Sequence, residues 1–197
     1  MDIVLATENI NKIREINDTL KKLPIKIITI KKFSNLPPII EDGNTFFENA
    51  LKKSTTIANF TKKVTIADDS GLEVDFLGGR PGVYSSRYAG ECASDADNNH
   101  KLLKELIDVP LQQRKASFKC AMAITNPFGK SDYVEGECRG VIGLELKGSG
   151  GFGYDPLFFI PELGKTFAEL GFFVKNGISH RAKALEKLKP LIIEYLT

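Results

Sequence analysis

The chain has 197 residues, 42% of them hydrophobic and 26% charged, which suits a single soluble domain over 1–197 with a sizeable core. A net charge of +2 is too small for a polybasic nucleic-acid or membrane surface, and no apolar run approaches the ~18 residues that span a bilayer, so neither partner is expected. The three scattered cysteines, Cys92, Cys120 and Cys138, form neither a disulfide framework nor a zinc spacing, and suit a reducing cytoplasm.

Ile3-Val4-Leu5-Ala6 predicts a first buried strand, and it lacks the basic flank and cleavage site of an export signal. Thr7-Glu8-Asn9 breaks the run, and Ile10, Ile13, Ile16 and Leu20 then recur at helical spacing until Pro24. This turn sets Thr7, Asn9, Asn11 and Lys12 around a helix N-terminus, where free N–H groups and the helix dipole favour anions. Plain capping by Asn9 or Asn11 accounts for the same residues equally well. Ile25 to Ile30 predicts a second strand, and Leu36 to Asn44 a loop punctuated by prolines and glycine.

Thr45-Phe46-Phe47-Glu48 opens a second helix, with Phe47, Ala50, Leu51, Ser54 and Ile57 as its buried stripe. Thr45 and Glu48 read as a capping box, and Lys53 lies one turn beyond Glu48, within reach of a phosphate if the helix flanks a site. Val64 to Ala67 predicts a core strand that runs into Asp68-Asp69-Ser70-Gly71. Ser-Gly reads as the turn that ends it, so both carboxylates are expected at a strand's carboxyl end, where open α/β sheets place ligands. Neighbouring carboxylates there suit a hard divalent cation or a general base, and a turn capped by Asp and Ser is the plainer alternative. Leu72 to Asp75 then reads as a short return strand.

Gly78 to Gly82 is irregular, and Tyr84 to Gly90 reads as a loop suited to packing, a partner surface or nucleotide contacts. Ser94 or Asp95 caps a helix carrying Leu102, Leu103, Leu106 and Ile107. Ala116 to Thr125 alternates as a strand, Asn126 to Gly129 turns, and a strand from about Ser131 to Leu146 pairs back antiparallel, which makes the sheet mixed. Gly148 to Gly153 is a glycine loop around Phe152, fit for a purine ring or for a plain turn. Leu157 to Ile160 predicts a buried strand. Ser179 is the expected N-cap of a last helix carrying Leu185, Leu188, Ile192 and Tyr195, which Pro190 should kink or break.

Acids for a metal, lysines and an arginine for phosphates, and an aromatic among glycines for a base together point to a nucleoside triphosphate. No Gly-Lys-Ser/Thr phosphate loop and no Gly-x-Gly-x-x-Gly follows the first strand, so neither a P-loop nucleotidase nor a Rossmann dehydrogenase is favoured.

The stretches LATENINKIREI, TFFENALKKS, IADDSGLEVDFLGGRPGVYSSRYAG, GSGGFGYDPLFF and KNGISHRAKAL resemble, in order, those of the inosine triphosphate pyrophosphatase family, in its bacterial type. They run from residue 3 to the last helix. The resemblance implies an elongated, two-lobed α/β fold with a mixed central β-sheet flanked by helices, usually as a homodimer. It implies hydrolysis of ITP, dITP and XTP to the monophosphate and pyrophosphate with Mg²⁺. By motif, Asp69 is implied as the general base on the water that attacks the α-phosphate and as a metal ligand, with Asp68 in support. Lys12 is implied to neutralise developing charge.

Thr7, Glu8, Asn9, Ile10, Asn11, Lys12, Lys53 and Ser70 are implied on the substrate. Phe152, Gly153, Tyr154 and Asp155 are implied as the base-binding segment, with Lys175, His180 and Arg181 completing the pocket. Glu41 is the implied second metal ligand, with Glu48 as its rival. Two places depart from the family pattern: Glu8 stands where a small residue is usual, and Phe172-Phe173-Val174 stands where acids usually precede the lysine. A nucleotide-binding module without chemistry, or a pyrophosphatase for other modified nucleotides, are the alternatives.

Overall fold

Seven strands make one sheet in a computed structural model that describes residues 1–196; the last residue of the expected 1–197 domain lies outside the described residues. The strands are β1 (Asp2–Leu5), β2 (Lys26–Thr29), β3 (Thr65–Val74), β4 (Lys115–Thr125), β5 (Ser131–Ile142), β6 (Phe158–Ile160) and β7 (Lys165–Thr166), in the order β2-β1-β3-β4-β5-β6-β7. The helices are α1 (Ile10–Leu20), α2 (Phe46–Thr61), α3 (Asp95–Glu105), α4 (Phe172–Ile178) and α5 (His180–Glu194). Both β2 and β3 pair parallel to β1, whereas β6 pairs antiparallel to β5 and to β7, so the sheet is mixed. Among the described residues no helix is long and apolar enough to cross a membrane.

By packing, the chain divides into two compact units: Met1–Asp69, Cys120–Gly136 and the segment from His180 onward form the first, and Ser70–Lys119 with Glu137–Ser179 the second. In the first unit β1 and the start of β3, which pair parallel, are apolar on both faces, as parallel strands covered on both sides must be. Successive side chains alternate between faces. Ile3, Leu5 and Ile66 therefore pack with Ile16, Leu20, Leu185 and Leu188 of α1 and α5. Val4, Ala6 and Ala67 pack on the other face with Ile57 of α2. Gly136 of β5 lets α5 come this close: a Cβ there would lie 2.1 Å from the His180 carbonyl oxygen and 2.5 Å from the Ala184 nitrogen. The core of the second unit is built around Phe118, Phe158 and Phe167, whose ring centroids lie 4.6 to 5.9 Å apart.

Several expectations change. The core strand does not turn at Ser70-Gly71; β3 runs on to Val74 because Leu72 and Val74 continue the buried alternation, and there is no separate return strand. Strand β5 ends at Ile142, short of Leu146. Phe46, not Phe47, is buried on α2, while Phe47 lies half-buried against Tyr133 with ring centroids 4.0 Å apart. Gly82–Arg87 is a short 3-10 helix rather than an open loop. Ser179 also closes α4, its N–H donating to the Lys175 carbonyl at 2.9 Å, while standing directly before the first residue of α5 as expected. Helix α5 passes through Pro190 unbroken.

Candidate active site

Asp68 and Asp69 are consecutive in β3, so their carboxylates leave opposite faces of the sheet. They are not the side-by-side pair that a strand end would present: Asp68 meets α1 and α5, and Asp69 meets α2. On the α1 and α5 face, Asp68 Oδ2 accepts from Lys12 Nζ at 3.1 Å and from Arg181 Nε and Nη2 at 3.1 and 3.0 Å. The third arm of the guanidinium, Nη1, reaches Glu15 Oε2 at 2.5 Å. Asp68, Glu15 and Arg181 are all buried. Burial works against the Asp68 charge, but Lys12, Arg181 and Lys53 more than offset it and hold its carboxyl well below the usual carboxylate range. Burial likewise opposes the Arg181 cation, and Asp68 and Glu15 more than compensate. Cys120 Sγ lies 4.0 Å from the same carboxylate; burial and then the Asp68 charge push its thiol up to about 12, so it carries no thiolate chemistry at neutral pH.

On the α2 face, Asp69 Oδ2 accepts from Asn49 Nδ2 at 3.1 Å and Oδ1 from Lys53 Nζ at 3.1 Å. Asn49 and Lys53 are one turn apart on the buried stripe of α2. Lys53 also donates to Glu41 Oε1 at 3.2 Å, so one ammonium bridges two carboxylates. The Glu41 side chain is 40% exposed against 10% for Asp69, which leaves the pair open to solvent at the Glu41 end. Burial raises the Asp69 pKa; Lys53 and Lys12 pull it down, Glu41 adds to the rise, and the net shift is upward. Lys53 is opposed by burial, yet Asp69, Glu41 and Asp68 leave its pKa raised. Glu48 is engaged elsewhere, its Oε2 accepting from the Asn44 N–H at 2.7 Å while Thr45 caps α2. Of the two rival acids, Glu41 is the one that stands with Asp69. Among the described residues no group of three or more acids, histidines or cysteines gathers as a ready-made metal cage.

The turn before α1 is held by its own side chains. Asn9 Oδ1 accepts from the Asn11 and Lys12 N–H groups at 3.0 and 3.2 Å, and Thr7 Oγ1 accepts from the Asn9 N–H at 3.2 Å. Capping, one of the two readings left open by the sequence, is therefore realised. Glu8, Asn9, Ile10 and Asn11 are exposed, whereas Lys12 turns inward to Asp68.

The second unit has its own polar cluster. Asp155 Oδ2 accepts from the Phe152 N–H at 2.9 Å and from Lys175 Nζ at 2.6 Å, and Lys175 Nζ sits 4.6 Å from the Phe152 ring centroid. Gly151 makes this possible: with φ +74°, its added Cβ would lie 1.9 Å from Asp155 Oδ2. Tyr154 is buried and donates to the Ser85 carbonyl at 2.8 Å. Ser70 lies half-buried in β3 beside Asp69.

Of the residues singled out in the sequence, Lys12, Asp68 and Arg181 come together, as do Lys53, Glu41 and Asp69, and as do Phe152, Asp155 and Lys175. Arg181 is engaged with two acids, Asp68 and Glu15. His180 is buried at the start of α5. Sequence reasoning missed Glu15 and Asn49. Asn49 lies one turn from the buried Phe46 and Lys53 of α2, but Glu15 stands at no three- or four-residue step from Ile13, Ile16 or Leu20, so its burial left no trace in the helical period.

The Ham1 family pattern matches residues 3–191. A dITP/XTP pyrophosphatase of Desulforamulus reducens is 51% identical over 192 residues, spanning 98% of this chain and 96% of the relative. A dITP/XTP pyrophosphatase of Geobacter sulfurreducens is 52% identical over 187 residues, 95% of this chain and 94% of the relative. Among solved structures, a HAM1 protein from Coxiella burnetii matches with a TM-score of 0.90 at 42% identity, over 98% of this chain and 99% of that one. The likeness thus runs the length of the chain in sequence and in backbone alike, and the protein belongs to the Ham1 family.

Proposed function

We propose that this protein hydrolyses non-standard purine nucleoside triphosphates, ITP, dITP and XTP, to the monophosphate and pyrophosphate. The observation that carries the chemistry is the ionisable Asp69, held by Asn49 and Lys53 with its pKa raised by burial. A carboxylate shifted towards neutral pH is a better proton acceptor than an ordinary one. In this reading Asp69 takes a proton from a water whose oxygen bonds to the α-phosphorus. The bond from that phosphorus to the α–β bridging oxygen breaks, and pyrophosphate leaves with the bond's electrons. Lys12 and Lys53 offset the charge that develops on the phosphates. The convergence of Glu41 and Asp69 on one ammonium supplies the two-carboxylate donor set that Mg²⁺ takes together with phosphate oxygens. These residues would hold Mg²⁺, which supplies Lewis-acid polarisation of the phosphates when bound.

The base goes to Phe152, with Lys175 and Asp155 fixing the ring's surroundings. Hypoxanthine and xanthine carry a 6-oxo group and an N1–H where adenine has an amino group and a bare nitrogen. A pocket matched to the former leaves buried polar groups unpaired against adenine, at about 1–3 kcal/mol each. The homodimer and the cytoplasmic location belong to the same reading. The protein with Mg²⁺ is expected to convert ITP into IMP and pyrophosphate much faster than it turns over ATP, and to stop on chelation with EDTA. Release of single orthophosphates, or equal rates across the panel, would overturn the proposal.

A pH profile adds a separate check. Because the Asp69 pKa is raised and the base must be ionised, activity is lost as pH falls through a value above the ordinary aspartate value of about 3.9. Lys53 is the largest charge pulling that value down, so Lys53→Met should move the acidic limb of kcat/KM to higher pH. An unmoved limb would mean that another group titrates.

A further inference from the structure

Resting on the reading that Phe152 receives the base, we propose that Asp95 and Asn99 of α3 are positioning residues that set the base loop through the Gly153 backbone. Asp95 Oδ2 accepts from the Gly153 N–H at 2.7 Å, and Asn99 Nδ2 donates to the Gly153 carbonyl at 2.9 Å. The two side chains are one turn apart on α3, so a single helix face grips both polar groups of one peptide residue. Gly153 has φ +60°, and its neighbour Phe152 carries the ring over which Lys175 lies. Fixing both groups of Gly153 fixes the peptide that joins it to Phe152, and with it the direction in which that ring is presented.

The helix itself does not need these two residues. Its N-terminus is closed by a complete capping box of Ser94 and Asp97. Asn99 is buried, and its Nδ2 also meets the Asp95 carbonyl at 2.7 Å. With two carbonyls on the nitrogen side, the amide can be oriented only one way. That orientation leaves Asn99 Oδ1 buried without a hydrogen-bond partner. Such an orphan is destabilising, and an apolar residue would serve the fold better at a buried helix position. The asparagine is explained by what its nitrogen holds.

Steady-state kinetics with ITP and Mg²⁺ tests this in a double-mutant cycle with Phe152. Asn99→Leu is expected to raise KM about tenfold with kcat nearly unchanged, since the loop contributes equally to ground-state and transition-state binding. Asp95 is exposed, so Asp95→Ala keeps the fold and is expected to raise KM about fivefold, while Asp95→Asn, which retains an acceptor for the Gly153 N–H, restores it. In a Phe152→Ala background neither Asn99→Leu nor Asp95→Ala should raise KM further. A purely structural role would instead lower kcat or Tm and persist in that background, which overturns the inference. If Phe152→Ala raises KM while the α3 variants do nothing, the clamp fails and the base site stands. If Phe152→Ala leaves KM unchanged, the base site and the clamp fail together.

Discussion

Asp69→Asn is expected to lower kcat by about 10³-fold without lowering the Tm. The amide retains the size of the carboxylate but cannot accept a proton from water. Stability survives because burial disfavours the Asp69 charge, as its raised pKa records, and Lys53, which loses that partner, keeps Glu41 at 3.2 Å and the nearby Asp68 charge. The residual activity should also lose the acidic limb of the pH profile, since the amide does not titrate. Asp68→Asn gives the contrast. The Asp68 pKa is lowered in the fold, so its charge is favoured there, and neutralising it leaves Lys12 and Arg181 short of a counter-charge. The neighbour in sequence should therefore lose stability where Asp69 loses turnover. Thermal melts and initial rates on the two variants separate these outcomes; a stable Asp68→Asn and an active Asp69→Asn would reverse the assignment.

Arg181→Met should destabilise the protein by about 3–5 kcal/mol, because it leaves Asp68 and Glu15 as buried carboxylates without their shared cation. For a chain of this size that lowers the Tm by about 10 °C. Neutralising the two acids as well, in Glu15→Gln/Asp68→Asn/Arg181→Met, should recover most of the loss, since the penalty lies in uncompensated charge. Asp68, with its lowered folded pKa, contributes stability that is present above the ordinary aspartate value of about 3.9 and lost as pH falls through its folded value. The Tm difference between wild type and Arg181→Met should accordingly narrow in acid. A variant that melts with the wild type at neutral pH would show that the guanidinium does not hold the two acids.

The strands and helices were legible because their apolar periods are strong. Ile3 to Ala6 reads as buried on both faces and is, and the hairpin from β4 to β5 follows from its alternation and its turn. Ser70-Gly71 misled, since the same pair that marks a turn also fits inside a crowded strand when apolar residues continue beyond it. That one difference changes the chemistry. With the turn removed, Asp68 and Asp69 face opposite ways, and what looked like a carboxylate pair resolves into one acid held by Lys12 and Arg181 and another held by Asn49 and Lys53. Glu15 and Asn49 were hidden for a related reason. Their partners lie 166 and 20 residues away along the chain, and no local pattern connects a polar helix residue to a partner so distant. The Asp95–Asn99 grip on Gly153 was hidden too, since it acts on backbone groups that every residue shares.

Hydrolysis of ITP in ¹⁸O-enriched water bears most directly on Asp69 as the group that activates water against the α-phosphorus. One labelled oxygen should appear in IMP and none in pyrophosphate, and Asp69→Asn should slow that labelling in step with kcat. Label in pyrophosphate would place the attack on the β-phosphorus and contradict the role given to Asp69.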